Sequence, residues 1–500
     1  MVGRCVVTLV EPRGRSRIMC DLPVTALETA IKDHPIERKA SWLRATLAHS
    51  RRDAMASSTM SGITDNYLGA FAIHLRASAS QIGWLTAAPQ LAGAMFQLLS
   101  VWLCNYLSRR QAIVTGAALQ ALAVFGMALV GLLQPESGIR CLIVLAIVYH
   151  ATGNFIQPQW RSWMGSLVPA RRRGAFFAGR TRLTMVSSFI VIVLGGLLLG
   201  WFDRWEIAGY GFALLLLLAA AGRCYSAWQL AQMTDPDQQE AHSRRSAQSV
   251  HPLQTYRAIA LAFGERPFRE YSLFFAFMQL AVALSGPFFA VYMLRNLDYS
   301  YWWFTANIST AIVTQFFTLK TWGLICDRYG SRIVMVISGY LIPVVPALWL
   351  LSQDPYSLLL VQVISGLAWG GFTLSTANYL YDIRPPRADF AIYAAVQSAL
   401  SAAGVFCGAL LGGYLASNLP AMVTVLPEGW IPEHPIVILF GLSAALRGMI
   451  VAWFIPRSVE LRIRHKPSLL HVVYRISRFT PGAGVVLDWL TVTRKDKGST

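Results

Sequence analysis

Asp65 and Asn66 stand side by side in SSTMSGITDNYLGAFAIHLR, residues 57–76, where most neighbours are small or apolar. A lone carboxyl group there can take up and release a proton, and the adjacent amide can hold a polar group beside it. An ionised Asp at the centre of a membrane helix costs about 2.5–3.5 kcal/mol on insertion scales, so it needs a task or a partner. Two readings of Asp65 stand open: a titrating functional carboxylate, or a structural partner for an arginine such as Arg161. A second polar group lies in YHATGNFIQPQWRSWMG, which offers His150, Asn154, Gln157, Gln159, Trp160 and Arg161. Further along, Ser285, Asn307, Gln315, Thr376, Asn378 and Gln397 interrupt apolar runs of their own. Polar groups at membrane depth are expensive unless they face a cavity or a partner. Asn66, Asn154, Gln157, Trp160 and those six second-half residues are therefore expected to line a path for a small molecule. His74 and His150 have no third ligand or carboxylate in register, so no metal site is expected of them.

The elements that must carry these residues follow from composition. The chain has 500 residues, is 55% hydrophobic and only 14% charged, whereas soluble domains average about 25% charged. A bilayer core of about 30 Å needs about 20 mostly apolar residues per helix. Twelve such spans can be placed, near 57–76, 82–104, 111–132, 141–163, 183–202, 207–230, 271–294, 303–325, 333–352, 357–380, 391–416 and 435–455. An all-α membrane protein is expected, with a tail over 1–56, a six-helix bundle over 57–230, a linker over 231–270, a second bundle over 271–456 and a basic tail over 457–500.

With both termini on one side, the loops sort by charge. One side holds sixteen arginines, namely 109, 110, 171–173, 180, 182, 244, 245, 257, 266, 269, 328, 332, 384 and 387, against Arg76, Arg140, Arg204 and Arg295 on the other. Cytoplasmic loops carry the excess of positive charge, so both tails and the linker are expected in the cytoplasm of a cell or inner membrane. The basic loops, and the segment SLLHVVYRISRF in the last tail, suit anionic lipid. The net charge of +18 lies in loops and tails and not in a basic stripe interleaved with aromatics, so nucleic acid is not an expected partner. Seven scattered cysteines without a CxxC pair give neither a disulfide framework nor a zinc site. No apolar run followed by a cleavage site marks a signal peptide in residues 1–55.

The chain repeats itself. A shift of 222 residues lays VWLCNYLSRR, 101–110, over GLICDRYGSR, 323–332. A shift of 217 lays Pro169 over Pro386 and the pair Gly195–Gly196 over Gly412–Gly413, and AAGR at 220–223 meets AALR at 444–447. Matches at nearly constant shift indicate two copies of a six-helix unit. In each copy the basic loop follows the second span. Gly330 lets the chain turn there, and Arg328 and Arg332 can reach phosphates or helix carboxyl ends. Arg223 and Arg447, about two turns inside their helix ends, read as structural residues able to snorkel.

The pattern G-x-x-x-D-R-x-G-x-R of residues 323–332, after the second helix of a half in a chain of twelve spans, resembles the major facilitator superfamily of secondary transporters. The resemblance covers roughly residues 57–456. It implies transport by alternating access, and for Asp327, Arg328, Gly330 and Arg332 it implies a latch between the two bundles in the outward-open state. The first copy departs from the pattern, with Asn105 for the Asp, Tyr106 for the first Arg and Ser108 for the Gly, leaving Arg109 and Arg110. Taken together, the spans, the repeat and the loop imply a transporter of a small organic solute, with Asp65 as candidate proton carrier, H+ as coupling ion, a monomeric state and no cofactor. A facilitative carrier without coupling and a transporter-derived sensor are the alternatives. An enzyme would need a clustered His, Asp or Ser constellation that cannot be assembled, and no Walker A glycine loop occurs. Neither the substrate nor the direction of transport is readable.

Overall fold

A computed structural model of the chain describes residues 8–10, 16–18, 35–103, 108–168, 173–233, 261, 263–383, 390–423 and 432–458. A short antiparallel pair, β1 (Thr8–Val10) and β2 (Ser16–Ile18), precedes the helices. The first unit comprises α1 (Pro35–His74), α2 (Ala79–Leu103), α3 (Arg109–Leu133), α4 (Gly138–Leu167), α5 (Arg173–Arg204) and α6 (Ala208–Gln232). The second comprises α7 (Arg266–Val291, extended by a π turn, Tyr292–Asn296), α8 (Tyr301–Tyr329), α9 in two pieces (Ser331–Leu341 and Val344–Leu348), α10 (Pro355–Ile383), α11 (Phe390–Val423) and α12 (Val437–Phe454). Nine of these, among the described residues, are long and apolar enough to cross a membrane on that ground alone. The first, second and eighth are more polar, as helices that face a cavity or a partner bundle can be.

Two boundaries differ from expectation. α1 begins at Pro35, inside the segment assigned to the first tail, because Thr46, Ser50 and Asp53 are buried and Trp42 and Leu47 pack on the hydrophobic cluster of Ile113, Trp163, Met164 and Leu230. The ninth span is interrupted around Pro343 and Pro346, which cannot donate to the preceding turn. Most of the linker, residues 234–260, and the tail beyond 458 lie outside the described residues.

Small residues bring helices together, both within a bundle and between the two. Gly404, Gly408 and Gly412 recur every fourth residue on α11, and a Cβ at any of them would collide with the carbonyl oxygens of Ala276, Leu280 and Leu284 on α7. That is the close helix approach that a small-residue stripe permits. Between the units, α2 packs along α11 and α5 along α8. Gly83 meets the Ala409 carbonyl and Gly413, and Gly196 sits against Thr305.

The bundles join chiefly at the end opposite the arginine-rich loops. There the Tyr67 hydroxyl lies 3.1 Å from Thr305 Oγ1, Arg295 donates to the Ala77 carbonyl at 2.9 Å, and the Phe212 and Tyr301 rings meet edge to face at 5.4 Å. One hydrophobic core, with Tyr67, Phe71 and Phe212 from the first unit and Phe288, Tyr292 and Phe304 from the second, spans the junction. Toward the basic end the same helices diverge and leave the cavity described next.

Candidate functional site

A cavity of about 940 Å³ lies between the bundles. Helices α1, α4, α5 and α6 supply its polar wall, and Ile312, Val313, Phe316, Phe317 and Leu319 of α8 supply an apolar one. Asp65 is exposed to this space. It lies nine residues from the end of α1, so at about 1.5 Å per residue its carboxyl is at membrane depth. The Tyr149 hydroxyl donates to Asp65 Oδ1 at 2.9 Å, and no described residue bonds Oδ2. No ion pair joins Asp65 to Arg161, so that structural reading finds no support in the geometry.

From Tyr149 a polar chain runs along the cavity wall to the basic end. Arg223 on α6, buried, interacts electrostatically with both Tyr149 and Asp53. Its Nη1 donates to Ser226 Oγ at 2.8 Å, and Ser226 donates to Asp53 Oδ1 at 2.7 Å. Arg180 on α5 closes the chain with an ion pair to Asp53 Oδ2 at 2.9 Å, and its Cζ stands 4.2 Å above the Trp160 ring. Asp53 thus bonds Arg180 directly and Arg223 through Ser226, which offsets part of the cost of burying these ions, while the Nε atoms of both arginines are buried without a partner among the described residues. The cation over the indole adds about 0.5–2 kcal/mol. Arg223 therefore does not snorkel; it is held by Ser226 and the charge of Asp53.

On α4 the residues 154, 157 and 161 recur at helical spacing and face the cavity, with Trp160 beside them. The Asn154 amide donates to its own helix, at the His150 carbonyl (2.9 Å). Pro158 lacks the N–H that would bond the Asn154 carbonyl and thus exposes a backbone acceptor on this stretch. Gln157 and Arg161 are exposed and make no hydrogen bond with a described residue, while the Trp160 indole nitrogen is buried without an acceptor.

The expected second-half candidates separate. Gln315 lines the cavity. The others are not among its lining residues, and most are bound up between helices. Ser285 hydrogen-bonds Ser443 (2.9 Å) and accepts from Arg447 (2.9 Å). Asn307 accepts from Gln362, the Thr376 hydroxyl donates to Phe372 O (2.7 Å), and Gln397 donates to the Tyr271 hydroxyl (2.9 Å). Asn378 is half-buried and Asn66 donates to Gly62 O in its own helix (2.9 Å). Arg447 is 2% exposed and does not reach the interface either. Its contacts are the Ser285 hydroxyl and, at 3.5 Å, the Val282 carbonyl, while its Nε is unsatisfied.

The two copies of the basic loop make matching ties. Arg110 donates to the Ala231 carbonyl at the end of α6, and Arg332 donates to the Ser458 carbonyl (2.8 Å) just beyond α12. Each places a cation at the carboxyl end of the sixth helix of its half, where the helix dipole favours it. Arg109 is buried and donates to Ser162 Oγ (3.3 Å). Gly330, at φ 91°, lets the chain leave α8, with its N–H on the Cys326 carbonyl (2.9 Å). Arg328 leans over the Tyr329 ring at 5.6 Å. Asp327 is exposed and bonds no described residue; Ser331 instead donates to Asp382 at the end of α10 (2.8 Å). Asn105 lies outside the described residues.

Tyr149, Asp53, Arg180 and Arg223 are the site residues that sequence reasoning missed. A carboxylate inside RRDAMA, and the repeated AAGR and AALR, were the available signals.

Comparison with known proteins bears on this arrangement. The sequence model of the Major Facilitator Superfamily matches residues 54–318 and 271–470. The Multidrug resistance protein MdtG of Dickeya zeae (strain Ech586) is 28% identical over 146 residues, 28% of this chain and 35% of that protein, so the match spans about a third of the relative's length. Among solved structures, a point mutant of the nucleoside transporter NupG superposes with a TM-score of 0.63 at 16% identity, covering 82% of this chain and 100% of that one. A D-xylose-proton symporter gives 0.61 at 12% identity over 85% and 99%. At these identities the likeness is one of fold.

Proposed function

The chain belongs to the Major Facilitator Superfamily, and from that premise we propose that it is a secondary active transporter of a small organic solute, coupled to protons through Asp65. The arginine bias of the loops assigns the basic end to the cytoplasm, which places both termini there and makes the conformation described inward-facing. The bundles meet at the outer end and part around a cavity at the inner one, the geometry that rocking of two halves about a central site requires.

The observation that carries the coupling is the state of Asp65. It is the acid exposed at the inner reach of the cavity, with one oxygen held by Tyr149 and the other free for a proton. Such a group can release its proton to the cytoplasm in this state and be reloaded when the cavity opens outward. The reading makes no demand for a cofactor, a metal or a covalent step, and the chain acts as carrier and not as enzyme.

The test is a counterflow screen of labelled compounds in vesicles, with and without an imposed proton gradient, repeated with Asp65→Asn. The variant keeps the shape and removes the titration, so accumulation should vanish while exchange persists. Continued accumulation against a gradient with unchanged pH dependence would make Asp65 structural and overturn coupling through it. A cysteine near 425 should be labelled from outside and a tag near 240 only from the cytoplasm; the reverse pattern overturns the orientation.

A further inference from the structure

We propose that the cavity takes an amphipathic organic anion, its acidic group held by Arg161 with the Gln157 amide beside it, and its apolar body against the α8 wall. This rests on the transporter reading for the cavity's purpose and adds the class of its ligand.

The charge balance of the lining supports it. Five fully ionic side chains face the cavity: Asp53, Asp65, Arg161, Arg180 and Arg223. Asp53 is committed to Arg180 and, through Ser226, to Arg223. Asp65 is held by Tyr149. That leaves Arg161 as the lining charge without hydrogen bond or ion pair among the described residues. Next to it stands one more accessible donor, the exposed Gln157 amide, which bonds no described residue. A planar guanidinium flanked by an N–H donor matches a carboxylate or phosphate ester, which can accept two parallel bonds. A cationic ligand would find no acceptor in these donors; its acceptor would be the unbonded oxygen of Asp65, which the transporter reading gives to the proton. Opposite, Phe316, Phe317 and Ile312 offer surface for an apolar or aromatic body. Topology alone accounts for an arginine near the basic end. It does not account for one exposed in the cavity beside a glutamine amide and across from an apolar wall.

The test measures equilibrium binding to the purified full chain in detergent, using three probes that share one body: 2-naphthylacetate, its neutral amide, and 2-(2-naphthyl)ethylammonium. A charge-assisted hydrogen bond is worth about 10- to 150-fold in affinity. The carboxylate should therefore bind at least about tenfold more tightly than the amide. Arg161→Gln should erase that preference, weakening carboxylate binding about tenfold or more and amide binding less, with the melting temperature unchanged, and Arg161→Lys should keep part of it. Equal or tighter binding of the amide or the ammonium overturns the proposal, as does a preference that survives Arg161→Gln or the absence of carboxylate binding. These outcomes are separable from failure of the transporter reading. Loss of proton-driven uptake in Asp65→Asn together with a preference for the ammonium would sink the anion alone, whereas intact anion binding with no gradient-driven uptake would sink the coupling alone.

Discussion

Arg223 and Arg447 occupy corresponding places in the two halves of one repeat, each buried in the sixth helix of its unit. Their surroundings differ. Arg223 faces a carboxylate, a serine and a tyrosine that continue to the cavity. Arg447 faces one serine hydroxyl and a carbonyl, with no carboxylate partner among the described residues. The same contrast holds for the halves at large, since the first unit lines the cavity with ionic and amide groups and the second contributes Gln315 and an apolar wall. The polar lining of the cavity therefore sits almost wholly in one bundle, and the proposed function would give the ligand chemistry to that half.

The largest test of that division is functional. Asp65→Asn should bring accumulation down to the level set by the substrate's own gradient, and the uptake that remains should lose its dependence on pH. Asn307→Ala or Gln397→Ala, which remove polar groups bound between second-unit helices, should leave coupling intact and at most lower stability. A loss of coupling in either variant as complete as in Asp65→Asn would break the comparison.

Next in size is stability. Arg223→Met leaves Asp53 buried with Arg180 as its remaining cation. Removing one member of a buried ionic cluster costs about 3–5 kcal/mol, and the loss should fall at the lower end because Arg180 stays. Arg447→Met removes a buried charge that no carboxylate faces and fills the same space, which is often neutral or stabilising by about 1–4 kcal/mol. Melting of the two variants in detergent should thus move in opposite directions, or at least differ clearly. A larger loss in Arg447→Met would mean that the second bundle depends on its charge.

Much of the fold was legible because the membrane allows few solutions. An apolar run of the right length must be a helix, and the repeat divided the helices into halves. The misplaced features have physical reasons. The segment 35–56 is polar enough to read as tail, yet one face of residues 42–56 is buried by the ends of α3, α4 and α6. Ser285, Asn307 and Gln397 are polar within apolar runs, which says that they avoid lipid but not whether a cavity or another helix receives them. On α4 the same signal did mark the cavity, since Asn154, Gln157 and Trp160 line it. Asp53 was hidden among arginines, where its neighbours suggested a solvated basic segment and not the buried anchor of two cations.

The smallest expected effect concerns the loop motif. Arg332 ties α9 to the end of α12 within its own half, as Arg110 ties α3 to the end of α6. Arg332→Ala should therefore cost about 1 kcal/mol of stability, the worth of a hydrogen bond from a charged group at a helix end. Asp327 is exposed and without a described partner in this conformation, so Asp327→Ala should change melting by less than about 0.5 kcal/mol. If its partner exists only in the outward-open state, removing it destabilises that state alone. A contact of about 1 kcal/mol then shifts the inward to outward ratio about fivefold toward inward. The readout is labelling, by an impermeant thiol reagent from outside, of a cysteine introduced at the cavity-lining position of Ser61. Asp327→Ala should slow that labelling several-fold with melting unchanged. Unaltered labelling would leave the acidic residue of the motif without a conformational task, and its loop with topology alone.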